Sequence, residues 1–158
     1  MSARGDIIDN IKTELEKITT GNGYNQTVAL VESDKLKAPE ELTPEEFPAL
    51  FIIDSGEIKA AGDIDSVECH LEIIISGYIR REWDTDDLQD LRRKLQNDVE
   101  KCLMVDETRN HKAIKTQCTK IVTDNMTTEP YTIFDIYFDV QYFHDRNNPS
   151  SQANSPVG

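Results

Sequence analysis

Three cysteines in 158 residues, Cys69, Cys102 and Cys118, are too few and too scattered for a disulfide framework. No CxxC occurs, and Cys69-His70 has no second Cys/His pair at zinc-like spacing. All three thiols are expected to be reduced and mostly buried. Basic residues are also scarce: 17 Lys plus Arg against 30 Asp plus Glu, a formal net charge of -13. That excludes the basic footprint of a free-standing nucleic-acid-binding domain and argues against docking on anionic lipid. Long apolar runs are missing. The longest, Phe47 to Ile53, is far below the roughly 18 residues of a membrane-spanning helix. The opening Met-Ser-Ala-Arg-Gly-Asp has no apolar core, so no signal peptide and a soluble chain are expected. No G-x-S-x-G elbow is present. Gly21-Asn22-Gly23 follows a helical pattern instead of opening one, so it is no phosphate loop.

What remains is enough to fold. A chain of this length buries about 68–70% of its unfolded surface, and 18.0 kDa suits one domain. Ile7, Ile8, Ile11, Leu15 and Ile18 predict a helix over 6–20, capped by Asp6 or Asp9 and stopped at Gly21-Asn22-Gly23. A short strand is expected over 25–31. Residues 32–46 hold Glu40, Glu41, Glu45 and Glu46 with two prolines, and read as an exposed acidic loop with one turn at Thr43-Pro44. Residues 47–53 read as a buried strand, followed by a turn or hairpin loop to 65.

Period-two alternation is clearest over 67–81, where Val67, Cys69, Leu71, Ile73 and Ile75 alternate with Glu68, His70, Glu72 and Ser76. Gly77, where an apolar residue is due, suggests a bend or bulge. Leu88, Leu91, Leu95 and Val99 predict a helix over 84–103, with Asp84 as N-cap. A strand is expected over 113–123 with Ile114, Cys118 and Val122 on one face. A last strand over 131–143 alternates Phe134, Ile136, Phe138, Val140 and Tyr142 with Asp135, Tyr137, Asp139 and Gln141. Residues 144–158 read as a polar tail beyond a domain of residues 1–143. The class is α+β: a mostly antiparallel sheet of about five strands with two amphipathic helices on one face. If the two long strands share a sheet, its wet side carries Glu68, Glu72, Asp135 and Asp139.

No pattern points strongly to catalysis. Asp84, Asp86, Asp87 and Asp90 form the densest acidic cluster, but no EF-hand register fits and helix capping is the plainer role. Asp63 and Asp65 make a DxD pair of a kind common by chance. Cys69 and His70 point to opposite faces of one strand, so they do not cooperate. Arg80, Arg81, Arg92, Arg93 and Lys94 form the main basic cluster. It is a solvated helix face, a nucleic-acid contact or, as suits so acidic a chain, a surface that pairs with a neighbouring copy or partner through the loop of Glu40, Glu41, Glu45 and Glu46 or the strand acids.

Together, several ordered features resemble the tail terminator (tail-completion) proteins of long-tailed bacteriophages. They are the opening helix Asp6-Ile-Ile-Asp-Asn-Ile-Lys-Thr-Glu-Leu, the Tyr24–Val31 strand and Phe47-Pro-Ala-Leu-Phe-Ile-Ile-Asp-Ser-Gly56. They continue with Glu72-Ile-Ile-Ile-Ser-Gly-Tyr-Ile79, the helix Leu91–Leu103 and the closing Val140-Gln-Tyr-Phe143. The resemblance covers roughly residues 5–143, with no counterpart for the acidic loop or the tail.

It implies a virion structural subunit made in the bacterial cytoplasm, not an enzyme, with no cofactor or metal. It also implies a homo-oligomer, a hexameric ring at the head-proximal end of the tail tube. Such a ring contacts the tail tube protein and the head connector while genomic DNA passes through. The acidic faces or the acidic loop are expected to line the hole, and segments 55–65, 124–129 and the tail to meet neighbouring rings. Alternatives are a neck adaptor or head-closure protein, a metal-dependent nuclease using Asp84, Asp86 and Asp87, and an acidic DNA-mimic inhibitor.

Overall fold

The computed structural model describes residues 2–62, 64–82, 86–124 and 130–150. Helix α1 spans Ala3–Leu15 and buries Ile7, Ile11 and Leu15 along one stripe. It begins earlier than the sequence suggests. Ser2 is the cap, its Oγ accepting from the Gly5 N–H at 2.9 Å, and Asp6 lies inside the first turn. The helix also ends before residue 20, although Ile18 still reaches the core. Gly23, at φ 89°, closes a separate 3-10 turn over Thr20–Asn22 instead of capping α1.

The sheet has order β1-β2-β3-β5-β4. Strand β1 (Leu30–Glu32) is shorter than expected and runs parallel to β2 (Ala49–Ala61). β2 follows a cis Phe47–Pro48 peptide. It forms an antiparallel hairpin with β3 (Ser66–Arg80), so the segment expected to turn after Asp54 is strand as far as Ala61. A bulge at Ser55 absorbs the local break, with Gly56 at φ 132° where other residues are strained. Strand β5 (Tyr131–Asp145) pairs antiparallel with β3 on one side and with β4 (Lys115–Thr123) on the other. His144, expected to open the tail, is buried within β5. Residues 151–158 lie outside the described residues.

Helix α2 spans Leu88–Met104. Its cap is Asp87, whose Oδ1 accepts from the N–H groups of Gln89 and Asp90 at 3.1 and 3.2 Å. The expected cap, Asp84, lies outside the described residues. Both helices pack on one sheet face, against Leu50, Ile73, Ile75, Phe134, Ile136 and Phe138 among others. The fold is α+β, as the strand alternation implies.

Three local expectations change. Residues 32–46 are not a wholly exposed loop. Two 3-10 turns, Pro39–Glu41 and Pro44–Glu46, fold the segment back on the sheet's other face. There Leu42 joins Ala49, Phe51 and Tyr78 in a second apolar cluster, and Tyr78 Oη donates to the Lys37 carbonyl at 2.6 Å. Gly77 marks no bulge, since its register is continuous with both neighbours. It leaves room for the Phe134 ring. In β4, a bulge at Thr119 shifts the alternation. Cys118 therefore faces the helices opposite Phe138, while Val122 faces the other way opposite Asp135.

Between α2 and β4, Arg109, Asn110 and His111 all take left-handed backbone, φ 53°, 57° and 67°. Asp106 holds this turn, accepting from Thr108 N, Thr108 Oγ1 and Asn110 N. Those donors hold the Asp106 carboxyl below its usual range. The Arg109 side chain is fully buried and donates through Nη2 to the carbonyl of Leu103, at the end of α2, and to that of Asp106 in the turn. Among the described residues, no helix is long and apolar enough to cross a membrane.

Candidate functional site: the uncovered face of the sheet

The sheet face away from the helices collects the four strand acids. On β3 the residues facing this way include Glu68, His70, Glu72, Ile74 and Ser76. On β5 they include Asp135, Tyr137, Asp139 and Gln141. Glu72 lies directly opposite Asp139, and Ser76 opposite Asp135. Like charges placed opposite each other cost stability, and two neighbours offset that cost here. Ser55 Oγ, on the β2 bulge, donates to Glu72 Oε1 at 2.8 Å. His70 sits between carboxylates, with Nδ1 3.0 Å from Asp139 Oδ2 and Nε2 2.7 Å from Glu68 Oε2.

A carboxylate accepts and does not donate, so this geometry calls for N–H on both ring nitrogens, an imidazolium. The hydrogen bond to Asp139, and then that to Glu68, push the His70 pKa above its ordinary value. A ring committed at both nitrogens is no general base while it is clamped. The bulges at Ser55 and Thr119 flank a shallow cleft of roughly 250 Å³ that includes Ile58, His70, Glu72 and Asp139. Further along, Lys120 Nζ stands 4.4 Å from the Tyr137 ring centre. The surface presents charge.

The sequence matches no protein-family model and no curated protein.

The clamp has a pH signature. His70 has a folded-state pKa raised above the unfolded value of about 6.5. Its contribution to stability is fully present below that value and is lost as pH rises through the folded one. The side chain is 34% exposed, so solvent screening keeps the effect under about 1 kcal/mol. Urea midpoints measured across this window are expected to fall with rising pH in the native chain relative to His70→Gln. Parallel pH profiles for the two proteins would refute the clamp.

The predicted contact residues are dispersed. Arg80 lies at the end of β3, opposite Tyr131. Arg81 donates through Nη1 to the Asp86 carbonyl. Arg93 bonds Gln89 at 3.1 Å and Lys94 pairs with Asp90 at 3.0 Å, both along α2. Arg92 is half-buried, with no partner for its Nε. In the acidic segment, Glu41 and Glu46 are used locally, accepting from the N–H groups of Ala38 and Thr43. Glu40 and Glu45 are exposed. Asp86 accepts from the Glu82 N–H and Asp87 caps α2, while Asp63 and Asp84 lie outside the described residues. Among the described residues, no group of three or more His, Cys, Asp or Glu is placed to hold a metal ion.

Two buried charges escape a reading by motif. Asp98 is 2% exposed and ties the 25–26 segment to α2. Its position, three after Leu95 and four before Cys102, sets it on the apolar stripe, which is the visible signal. Arg109 has no such signal, because its burial depends on the turn it occupies.

Proposed function

We propose that this chain is a virion subunit of the tail-terminator type. It forms a hexameric ring at the head-proximal end of a long phage tail tube, where it ends tube growth and joins the tail to the head connector. The observation that carries this reading is the part of the sheet face away from the helices that the 32–46 segment leaves open, with Glu68, Glu72, Asp135 and Asp139 on it. A channel for DNA must not hold a polyanion, and a wall of carboxylates on a chain of net charge -13 repels it. His70 between Glu68 and Asp139 limits the repulsion within the wall itself.

The test is negative-stain electron microscopy of the concentrated, purified protein. Rings with a central hole are expected. Their absence at every concentration, with only single subunits in the field, would overturn the reading.

A further inference from the structure

The helix-facing side of the sheet ends, near the β2–β3 turn, in a cluster of polar side chains. Lys59 on β2, Cys69 on β3 and Tyr142 on β5 stand in one row across the sheet. Glu57 on β2 lies in the row before, with Leu71 and Val140, and His144 on β5 in the row after, with Val67 and Ala61. Two diagonal contacts therefore cross over β3. Tyr142 Oη donates to Glu57 Oε1, and Lys59 Nζ stands 2.9 Å from His144 Nε2. Glu57 Oε2 lies 3.4 Å from the same ammonium and has no hydrogen-bond partner. His144 is 3% exposed and Tyr142 1%, whereas the Lys59 side chain is 42% exposed.

The hydrogen bonds fix where His144 carries its proton. Nδ1 lies 2.6 Å from the Asp145 carbonyl, and a carbonyl only accepts, so Nδ1 is the N–H. Nε2 is left facing the Lys59 amine. An amine ordinarily holds its proton about four units more tightly than an imidazole, so Lys59 donates and Nε2 accepts. We infer that Lys59 and His144 form an acid-released tie between β2 and β5. A second proton on the ring, at Nε2, sets N–H against ammonium and parts the pair. The freed ammonium has a second place to go, the unmet Glu57 Oε2. The remaining groups around the pair do not restore the contact. The Tyr142 ring flanks His144 and its hydroxyl is committed to Glu57, Cys69 is a buried thiol whose pKa burial pushes up, and Arg4 from α1 adds positive charge near Cys69.

His70, the neighbour of Cys69 on β3, points to the other face and is held as an imidazolium by Glu68 and Asp139. The same end of the sheet thus carries two histidines in opposite states. Acid secures the clamp on the open face and releases the tie on the helix-facing one. The tie is independent of the proposed ring, since all its members belong to one chain.

Histidine-selective nitrogen NMR of the full chain reads the ring directly. At about pH 8 the His144 proton is expected on Nδ1 with Nε2 bare, and Nε2 is expected to gain a proton on the way to about pH 5. Amide exchange, corrected for intrinsic rates, reads the release. Over the same span the local opening constant of residues 57–61 is expected to rise about threefold to tenfold more in the native chain than in His144→Gln, the loss of one charge-assisted bond at a partly exposed site. Glutamine offers Lys59 an amide oxygen and does not titrate, and the effect of His70 cancels in the comparison. Lys59→Met is expected to behave as His144→Gln does, and replaces it as the reference if the glutamine variant does not fold. A proton on Nε2 at about pH 8 would overturn the tie. So would an opening constant that follows pH equally in the native chain and the folded variants.

Discussion

Gly77→Ala is expected to lower stability by about 2–3 kcal/mol, although alanine normally improves on glycine in a strand. Gly77 lies on the helix-facing side of β3, between Leu50 on β2 and Phe134 on β5. A methyl group there falls within the envelope of the Phe134 ring, at Cζ, Cε1 and Cε2. The ring has nowhere to go, since Phe134 is buried among Leu50, Ile75 and Ile136. Overpacking therefore outweighs the gain in unfolded-state entropy, which is about 0.4–1 kcal/mol. In a domain of this size the loss corresponds to a thermal midpoint lower by about 5–10 °C.

A double-mutant cycle with Phe134→Leu checks the mechanism. The smaller side chain should make Gly77→Ala less costly, with a coupling of about 1 kcal/mol or more. A neutral or stabilising Gly77→Ala would mean that the ring does not need the space.

The same glycine shows where sequence patterns stop. Alternation along 67–81 identified β3 and its buried face, because period two needs no knowledge of neighbours. A gap in that alternation has two meanings, a kink in the chain or room for a side chain from elsewhere. Only the register with Phe134 decides between them. Val122 makes the same point. Counting by twos from Cys118 puts it among the helices, and one extra residue at Thr119 puts it on the open face. Asp54-Ser55-Gly56 has the composition of a turn, yet pairing with β3 holds it in strand and leaves only a bulge.

The candidate site was legible in its parts. Glu68, Glu72, Asp135 and Asp139 fell on the polar phase of their strands. The clamp on His70 was not visible, because it depends on Asp139 standing diagonally across from His70 on the neighbouring strand. The basic cluster was read as one patch because its members are close in the chain. Folding instead spreads them over the end of β3 and successive turns of α2, and gives most of them local partners.

Asp98→Ala is expected to cost about 2–3 kcal/mol, through a buried acceptor that serves three donors. Asp98 Oδ1 accepts from Asn25 N at 2.9 Å and from Asn25 Nδ2 at 3.1 Å, and Oδ2 accepts from Gln26 N at 2.9 Å. Gln26 Nε2 adds a bond to the Leu91 carbonyl at 2.6 Å. Together these fasten the segment between α1 and β1 to α2, a segment with no regular structure of its own over 25–29. Truncation to alanine leaves two backbone N–H groups without their acceptor and a gap in the α2 stripe.

Asp98→Asn separates hydrogen bonding from packing. Asparagine fills the same volume, but its amide supplies one acceptor oxygen and sets an NH₂ group against a donor that needs an acceptor. The asparagine variant should therefore lose at least half as much stability as the alanine variant. Amide exchange at Asn25 and Gln26 should accelerate in both, ahead of amides in β3 and β5. An asparagine variant as stable as the native chain would show that shape, and not the carboxylate, holds the segment in place.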